Sequence, residues 1–287
     1  MNASILILEK IDAKKGEMSK SQRLLAEYIT ANLDRVGYMT AKELGASVGV
    51  SESTVVRFAL ELGYDGYPDF RAELESSRKR TLTTPQRIKL SSIRSGGDIV
   101  EAVMSADIES LRSTLASLDR AELDKVVENL IGAKRIYVLG NRSSASLAQF
   151  LYLYLELVFD NVKLIQATSG NEIFEELFRI DEADTLIAIS FPRYSRRTVD
   201  AMKFARERNA TTVALTDSIK SSVADNATHV LLAKNDIASV VDSLVAPMSL
   251  LNVLIAALCR RKREELERTY GELEEIWDEY NTFDKRN

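Results

Sequence analysis

"GVSESTVVRFALELGYDGYPDFR", Gly49 to Arg71, opens on a residue suited to a sharp turn and closes on aromatics spaced by Gly and Pro. Between these ends, Val50, Val55 and Phe58 fall at spacings that share one helical face, which leaves Ser51, Glu52, Ser53, Arg57 and Glu61 for the other. Upstream, Leu44 and Val48 supply the facing apolar residues of a preceding helix, and Gly45 is the small residue that two crossing helices need at close approach. Thr40 and Glu43 have the spacing of a capping box that starts that helix. Further back, Ser19 to Leu33 reads as a supporting helix with Leu24, Leu25, Tyr28, Ile29 and Leu33 inward.

Two helices about a Gly49 turn form a helix-turn-helix pattern, whose second helix offers its first turns to the major groove. Short hydroxyls at Ser51, Ser53 and Thr54 can approach phosphates and base edges, and Arg57 can read guanine with two hydrogen bonds. An ordinary helical hairpin has the same periodicity. Residues 1–80 hold twelve Lys or Arg against twelve Asp or Glu. The positive charge that phosphate demands must therefore be local, from Lys20, Arg23, Lys42 and Arg57, with Thr40 beside them.

The chain has 287 residues, 45% hydrophobic and 28% charged, with a formal net charge of −5. That length carries two domains of ordinary globular composition. Cys259 is the sole cysteine, so no disulfide organises the fold and a reducing, cytoplasmic setting is expected. "MNASILILEKIDAKK" lacks a basic leader and a cleavage pattern, so no signal peptide is expected. The most apolar run, Ile237 to Cys259, carries Asp242, Pro247 and Asn252 and reads as a buried or subunit-interface helix, not a membrane span.

After a polar, basic connector from Ser76 to Asp98 the pattern changes. Short apolar runs recur at Arg135–Gly140, Val162–Gln166, Thr185–Ser190, Thr211–Thr216 and His229–Ala233, each separated by enough chain for a helix. Alternating buried strands and helices predict a doubly wound, five-stranded parallel sheet. Asp119 and Glu122 have capping-box spacing. The tail from Arg260 to Tyr280 places Leu266, Tyr270, Leu273 and Trp277 at helical spacing. The expected organisation is an all-α helix-turn-helix domain over 1–80, a linker over 81–97, an α/β domain over 98–265 and an amphipathic helix over 266–287.

The segment from Met18 to Arg71, above all "VSESTVVRFALELGYDGYPDFR", resembles the N-terminal domain of the RpiR family of bacterial transcription regulators. The resemblance implies that the hydroxyls and Arg57 contact operator DNA. It implies a C-terminal sugar isomerase (SIS) domain, covering roughly Leu123 to Arg260, that binds a phosphosugar effector. It also implies a repressor.

The residues of the second domain point the same way. "VLGNRSSASLAQFL" runs from a strand through Gly140 into a helix, and crowds Asn141, Arg142, Ser143 and Ser144 at a helix N-terminus that favours an anion. "ISFPRYSRRT" repeats the arrangement with Ser190, Arg193, Tyr194 and Ser195. Both loops follow carboxyl ends of strands, where open α/β sheets place ligands, although helix capping explains a lone Ser equally well. The family's loops read Gly-x-Gly-x-Ser and Ser-x-Ser-Gly-x-Thr. Here Arg142 stands for the second Gly, Pro192 and Arg193 replace Ser and Gly, and Ser195 stands for Thr. The added guanidinium groups suit a sugar phosphate or an acidic sugar derivative.

Gly140 alone does not make a dinucleotide fingerprint, and no metal-ligand cluster or nucleophile–base pair stands out. No cofactor and no catalytic residue is expected; His229 opens a strand, and Glu172, Glu175 and Glu176 read as a solvated helix face. A sugar-phosphate isomerase with an accessory helical domain is the rival, and a protein-interaction module a third reading. For a regulator, a homodimer or homotetramer is the expected assembly and a membrane is not a partner.

Overall fold

The computed structural model describes residues 3–32, 36–37, 39–81, 98–166, 170–235 and 242–283. They fall into two units, Met1–Thr83 and Thr84–Asn287.

The first unit is helical: α1 (Ala3–Lys14), α2 (Lys20–Ala31), α3 (Ala41–Val48), α4 (Glu52–Glu61) and α5 (Tyr67–Thr81). Both α2 and α3 begin with closed capping boxes, Ser19 with Gln22 and Thr40 with Glu43. The core joins Leu25 and Ile29 of α2, Leu44 of α3, Val55 and Phe58 of α4 and Phe70 of α5. The aromatic tail closes this core, with Phe70 edge-on to Phe58 and Tyr64. Leu24, expected inward, is 44% exposed, because the α2 stripe through Leu25 and Ile29 already fills the space. Leu33 lies outside the described residues. The helix α5 continues through Ser76 to Thr81, so the first residues of the expected connector are helical. A run without Gly or Pro lets the helix propagate to that point.

The second unit contains α6 (Ile99–Ser117), α7 (Arg120–Gly132), β1 (Ile136–Gly140), α8 (Ser144–Val158), β2 (Val162–Ile165), α9 (Gly170–Leu177), β3 (Thr185–Ile189), α10 (Arg196–Glu207), β4 (Thr211–Thr216), a 3₁₀ turn (Ala224–Asn226), β5 (His229–Leu232), α11 (Val245–Arg261) and α12 (Arg263–Glu279). The five strands are all parallel, in the order β2-β1-β3-β4-β5. Alternation along β1 sends Ile136 and Val138 into the core under α7, α8 and α11, and Tyr137 and Leu139 into the core under α9 and α10. The sheet is thus covered on both faces, as the near-continuous apolar strands require.

Among the described residues no helix is long and apolar enough to cross a membrane. α11 buries seven residues, including Leu250, Leu254 and Leu258. The chain bends at Lys262 before α12, so the boundary expected at residue 266 falls inside that helix. Of the tail's apolar spacing, Leu266 is buried, while Tyr270 and Phe283 flank Trp277 ring to ring.

Candidate functional site

In the helical unit the turn is fixed by two glycines. Gly49 has φ +77°, in the left-handed region that glycine adopts freely. A Cβ on Gly45 would lie 2.7 Å from the Val50 carbonyl oxygen, and the Val50 N–H donates to the Gly45 carbonyl at 2.9 Å. α4 can therefore start immediately beside α3.

Ser51 caps α4, accepting from the Thr54 N–H at 3.3 Å. Its Oγ also lies 2.9 Å from Ser53 Oγ and 2.8 Å from Thr54 Oγ1. Three hydroxyls thus gather at the positive end of the helix dipole. Ser51, Ser53 and Arg57 are exposed, while Val55, Phe58 and Ala59 anchor the opposite face. Lys42 in the first turn of α3 and Lys20 in the first turn of α2 are exposed as well. Two expected contact residues have other engagements. The Thr40 hydroxyl accepts from the Glu43 N–H at 3.2 Å and donates to its carboxylate at 2.9 Å. Hydrogen bonds from the Thr40 N–H and hydroxyl hold the Glu43 carboxyl below its usual range. Arg23 Nε donates to the Met18 carbonyl at 3.1 Å. The buried Gln22, which the sequence reading passed over, donates to Glu61 at 2.5 Å and ties the start of α2 to the end of α4.

In the second unit the register pairs Gly140 with Ile189, so the loops after β1 and β3 leave the same sheet edge side by side. A Cβ on Gly140 would lie 2.3 Å from the Ser144 carbonyl oxygen, so glycine alone lets α8 begin this close to the strand. Arg142 is exposed with φ +58°. Ser144 is buried, and Ser143 makes no side-chain cap. Asn141 Nδ2 donates to Thr198 Oγ1 at 2.9 Å and joins the two loops directly.

The second loop is closed on itself. Ser190 Oγ accepts from the Ser195 N–H at 3.3 Å, Ser195 caps α10, and the Tyr194 hydroxyl donates to Asp217 at 2.7 Å. Arg193 is exposed beside them.

A cavity of about 270 Å³ opens at this edge between β1 and β2. Asn141, Arg142, Gln149, Leu164 and Gln166 line it, and Gln166 Nε2 donates to Gln149 Oε1 at 3.3 Å. Ser190, Arg193, Tyr194 and Ser195 do not line it. The loops are neighbours, but the hollow belongs to the first loop and β2. Gln166 could have been found from its place at a strand's carboxyl end, whereas Gln149 and Thr198 carry no local signal.

His229 opens β5 at the opposite edge of the sheet, with Nδ1 2.9 Å from Glu122 and Nε2 3.1 Å from Asn129. Burial pushes the Glu122 carboxyl up, but hydrogen bonds with His229, Lys125 and the Val230 N–H leave it below its usual value. This histidine fastens α7 to β5. Glu176 pairs with Lys163 at 3.6 Å, Glu175 is exposed and Glu172 is half-buried. Among the described residues no group of three or more His, Cys, Asp or Glu could hold a metal ion.

Two sequence-family models match: "Helix-turn-helix domain, rpiR family" over residues 5–80 and "SIS domain" over residues 129–257. The chain is 28% identical over 297 residues to the HTH-type transcriptional regulator HexR of Escherichia coli, covering 98% of this chain and 96% of that one. The solved sugar isomerase domain of an RpiR transcription factor from Sphaerobacter thermophilus is 30% identical, with a TM-score of 0.58 over 60% of this chain and 96% of that one. The Vibrio vulnificus NanR protein, solved in complex with ManNAc-6P, shares the fold at 23% identity, with a TM-score of 0.59 over 96% of this chain and 98% of that one.

Proposed function

Because the chain belongs to the RpiR family of transcription regulators, we propose that it binds operator DNA through α4 and answers to a sugar phosphate or an acidic sugar derivative. The observation that carries the reading is the end of α4, where Ser51, Ser53 and Arg57 face water across from a buried Val55, Phe58 and Ala59. A helix anchored so firmly on one side can enter a groove without disturbing its own core. Lys42 and Lys20 supply phosphate contacts.

The effector site draws on the loops after β1 and β3, with Asn141, Arg142, Ser143 and Ser144 on the first and Ser190, Arg193, Tyr194 and Ser195 on the second. Arg142 and Arg193 pair the anionic group, and the amides of Gln149 and Gln166 suit sugar hydroxyls in the cavity between β1 and β2. The printed ligand of NanR, ManNAc-6P, supports a phosphorylated sugar as the class. Effector and operator communicate by linkage, each shifting the population the other prefers. Repression in the cytoplasm is the sign and setting carried over from the family.

The test is genomic footprinting followed by a metabolite screen on the operator found. Arg57→Ala should cost about 1–3 kcal/mol of specific binding if the guanidinium reads a base edge. Lys42→Ala should weaken all sequences alike and flatten the salt dependence. Arg142→Ala with Arg193→Ala should keep DNA binding and lose the response to metabolite. Unchanged operator affinity in Arg57→Ala would refute the assignment of α4, and an undiminished metabolite response in the double variant would move the pocket elsewhere.

A further inference from the structure

α6 packs on its own unit through polar residues. The buried side chains it contributes are Ser110 and Thr114, and Thr114 Oγ1 accepts from the Lys234 N–H at 2.9 Å. Asp107 accepts from Ser243 Oγ at 2.5 Å. The apolar residues point away from these bonds. Val100, Met104, Ile108 and Leu115 are 65, 60, 46 and 69% exposed, with Leu111 half-buried among them. Steps of four, four, three and four residues put all five on one stripe, about 23 Å long at 1.5 Å per residue. A solvated helix carries charge on its outer face; this one carries an uninterrupted apolar stripe there, as covered surfaces do.

We infer that this stripe is where two copies of the chain pair, α6 against α6, antiparallel, with Ile108 opposite Ile108. Charge selects a second copy as the occupant. The stripe itself holds no charged residue, so self-apposition brings no like charges together. Glu101 and Arg112 flank it on the same side, and neither has an ion-pair partner among the described residues. Antiparallel pairing about Ile108 sets Arg112 opposite position 104 of the other copy. The partner's Glu101 is then about 4.5 Å further along the axis, within reach of a guanidinium. Two-fold symmetry makes the pair twice. The other exposed apolar helix, α12, is a poor surface for self-pairing, because its sequence holds eight Asp or Glu against two Arg. The inference leans on the proposed operator binding for its purpose, since two half-sites call for two recognition helices.

The experiment is light scattering of the full chain across a concentration series, beside far-ultraviolet circular dichroism. Met104→Glu with Ile108→Glu should halve the mass and leave the dichroism unchanged, because both side chains face water in the single chain. Arg112→Glu should weaken pairing about tenfold, and adding Glu101→Arg should restore it, a rescue that a merely structural role would not give. A monomeric wild-type chain, or a double-Glu variant of unchanged mass, overturns the inference. A wild-type chain that pairs through α6 yet binds no DNA would sink the operator reading and leave this one standing. Loss of pairing with weak, salt-dependent half-site binding retained would support both.

Discussion

Tyr64 and Tyr67 sit three residues apart in the aromatic tail of the helical unit, and their hydroxyls are satisfied differently. Tyr67 donates to the Met39 carbonyl at 2.8 Å. Tyr64 is buried with no partner for its hydroxyl among the described residues, and Lys10 lies over its ring. Removing a satisfied hydroxyl forfeits a bond, whereas removing an unsatisfied one relieves a desolvation cost. Tyr67→Phe should lower stability by about 1 kcal/mol, and Tyr64→Phe should leave it equal or higher. Urea titration of both variants checks this. Burial, above all, pushes both phenols from 10 up to about 12. The unfolded chain then gives up these protons before the native one does. Their contribution to stability is complete below pH 10 and fades as pH rises towards 12. The midpoint in urea should fall over that window in the wild type and fall less in the Tyr64→Phe, Tyr67→Phe double variant.

Among the elements, the α3–α4 corner depends on Gly45 for space. Gly45→Ala drives a methyl to 2.7 Å from the Val50 carbonyl and should cost about 1–3 kcal/mol, with operator affinity lost as α4 shifts. Gly271→Ala is the control. It lies within α12 with nothing within 4 Å of an added Cβ, and should gain about 0.5–1 kcal/mol. Thermal melts of the two single variants should move in opposite directions. This corner was legible in the sequence because glycine has few local reasons to be where it is. The five strands were legible to within a residue because each is a buried apolar run with polar ends. Elements whose partners lie far along the chain were not. Asp119 does cap α7, accepting from the Glu122 N–H at 3.0 Å, but Glu122 turns to His229 instead of closing the box. A partner 107 residues away outcompeted the local one. The cavity was half legible for the same reason: Asn141 and Arg142 follow a strand, whereas Gln149 reaches it only through the packing of α8 on β2.

For the whole molecule, each unit encloses its own core. Ile7, Leu25, Leu44, Phe58 and Phe70 cluster in the first, and two apolar layers sandwich the sheet in the second. A fragment of residues 98–287 should therefore fold alone, with a cooperative melt and the dichroism of an α/β domain. A fragment that remains unfolded would show that the second core depends on the first unit. In the intact chain, calorimetry should resolve two transitions, and operator DNA should raise the one that belongs to the helical unit.

The chain's single tryptophan, Trp277, stands on α12 between Tyr270 and Phe283, and the helical unit has none. Indole emission is therefore an observer stationed at one end of the protein. Excited at 295 nm, the molecule can lose its recognition helix without a change in colour, while a shift of α12 reddens or quenches the signal. Fluorescence and dichroism should trace different denaturation curves, and their disagreement would itself measure how far the two units unfold apart.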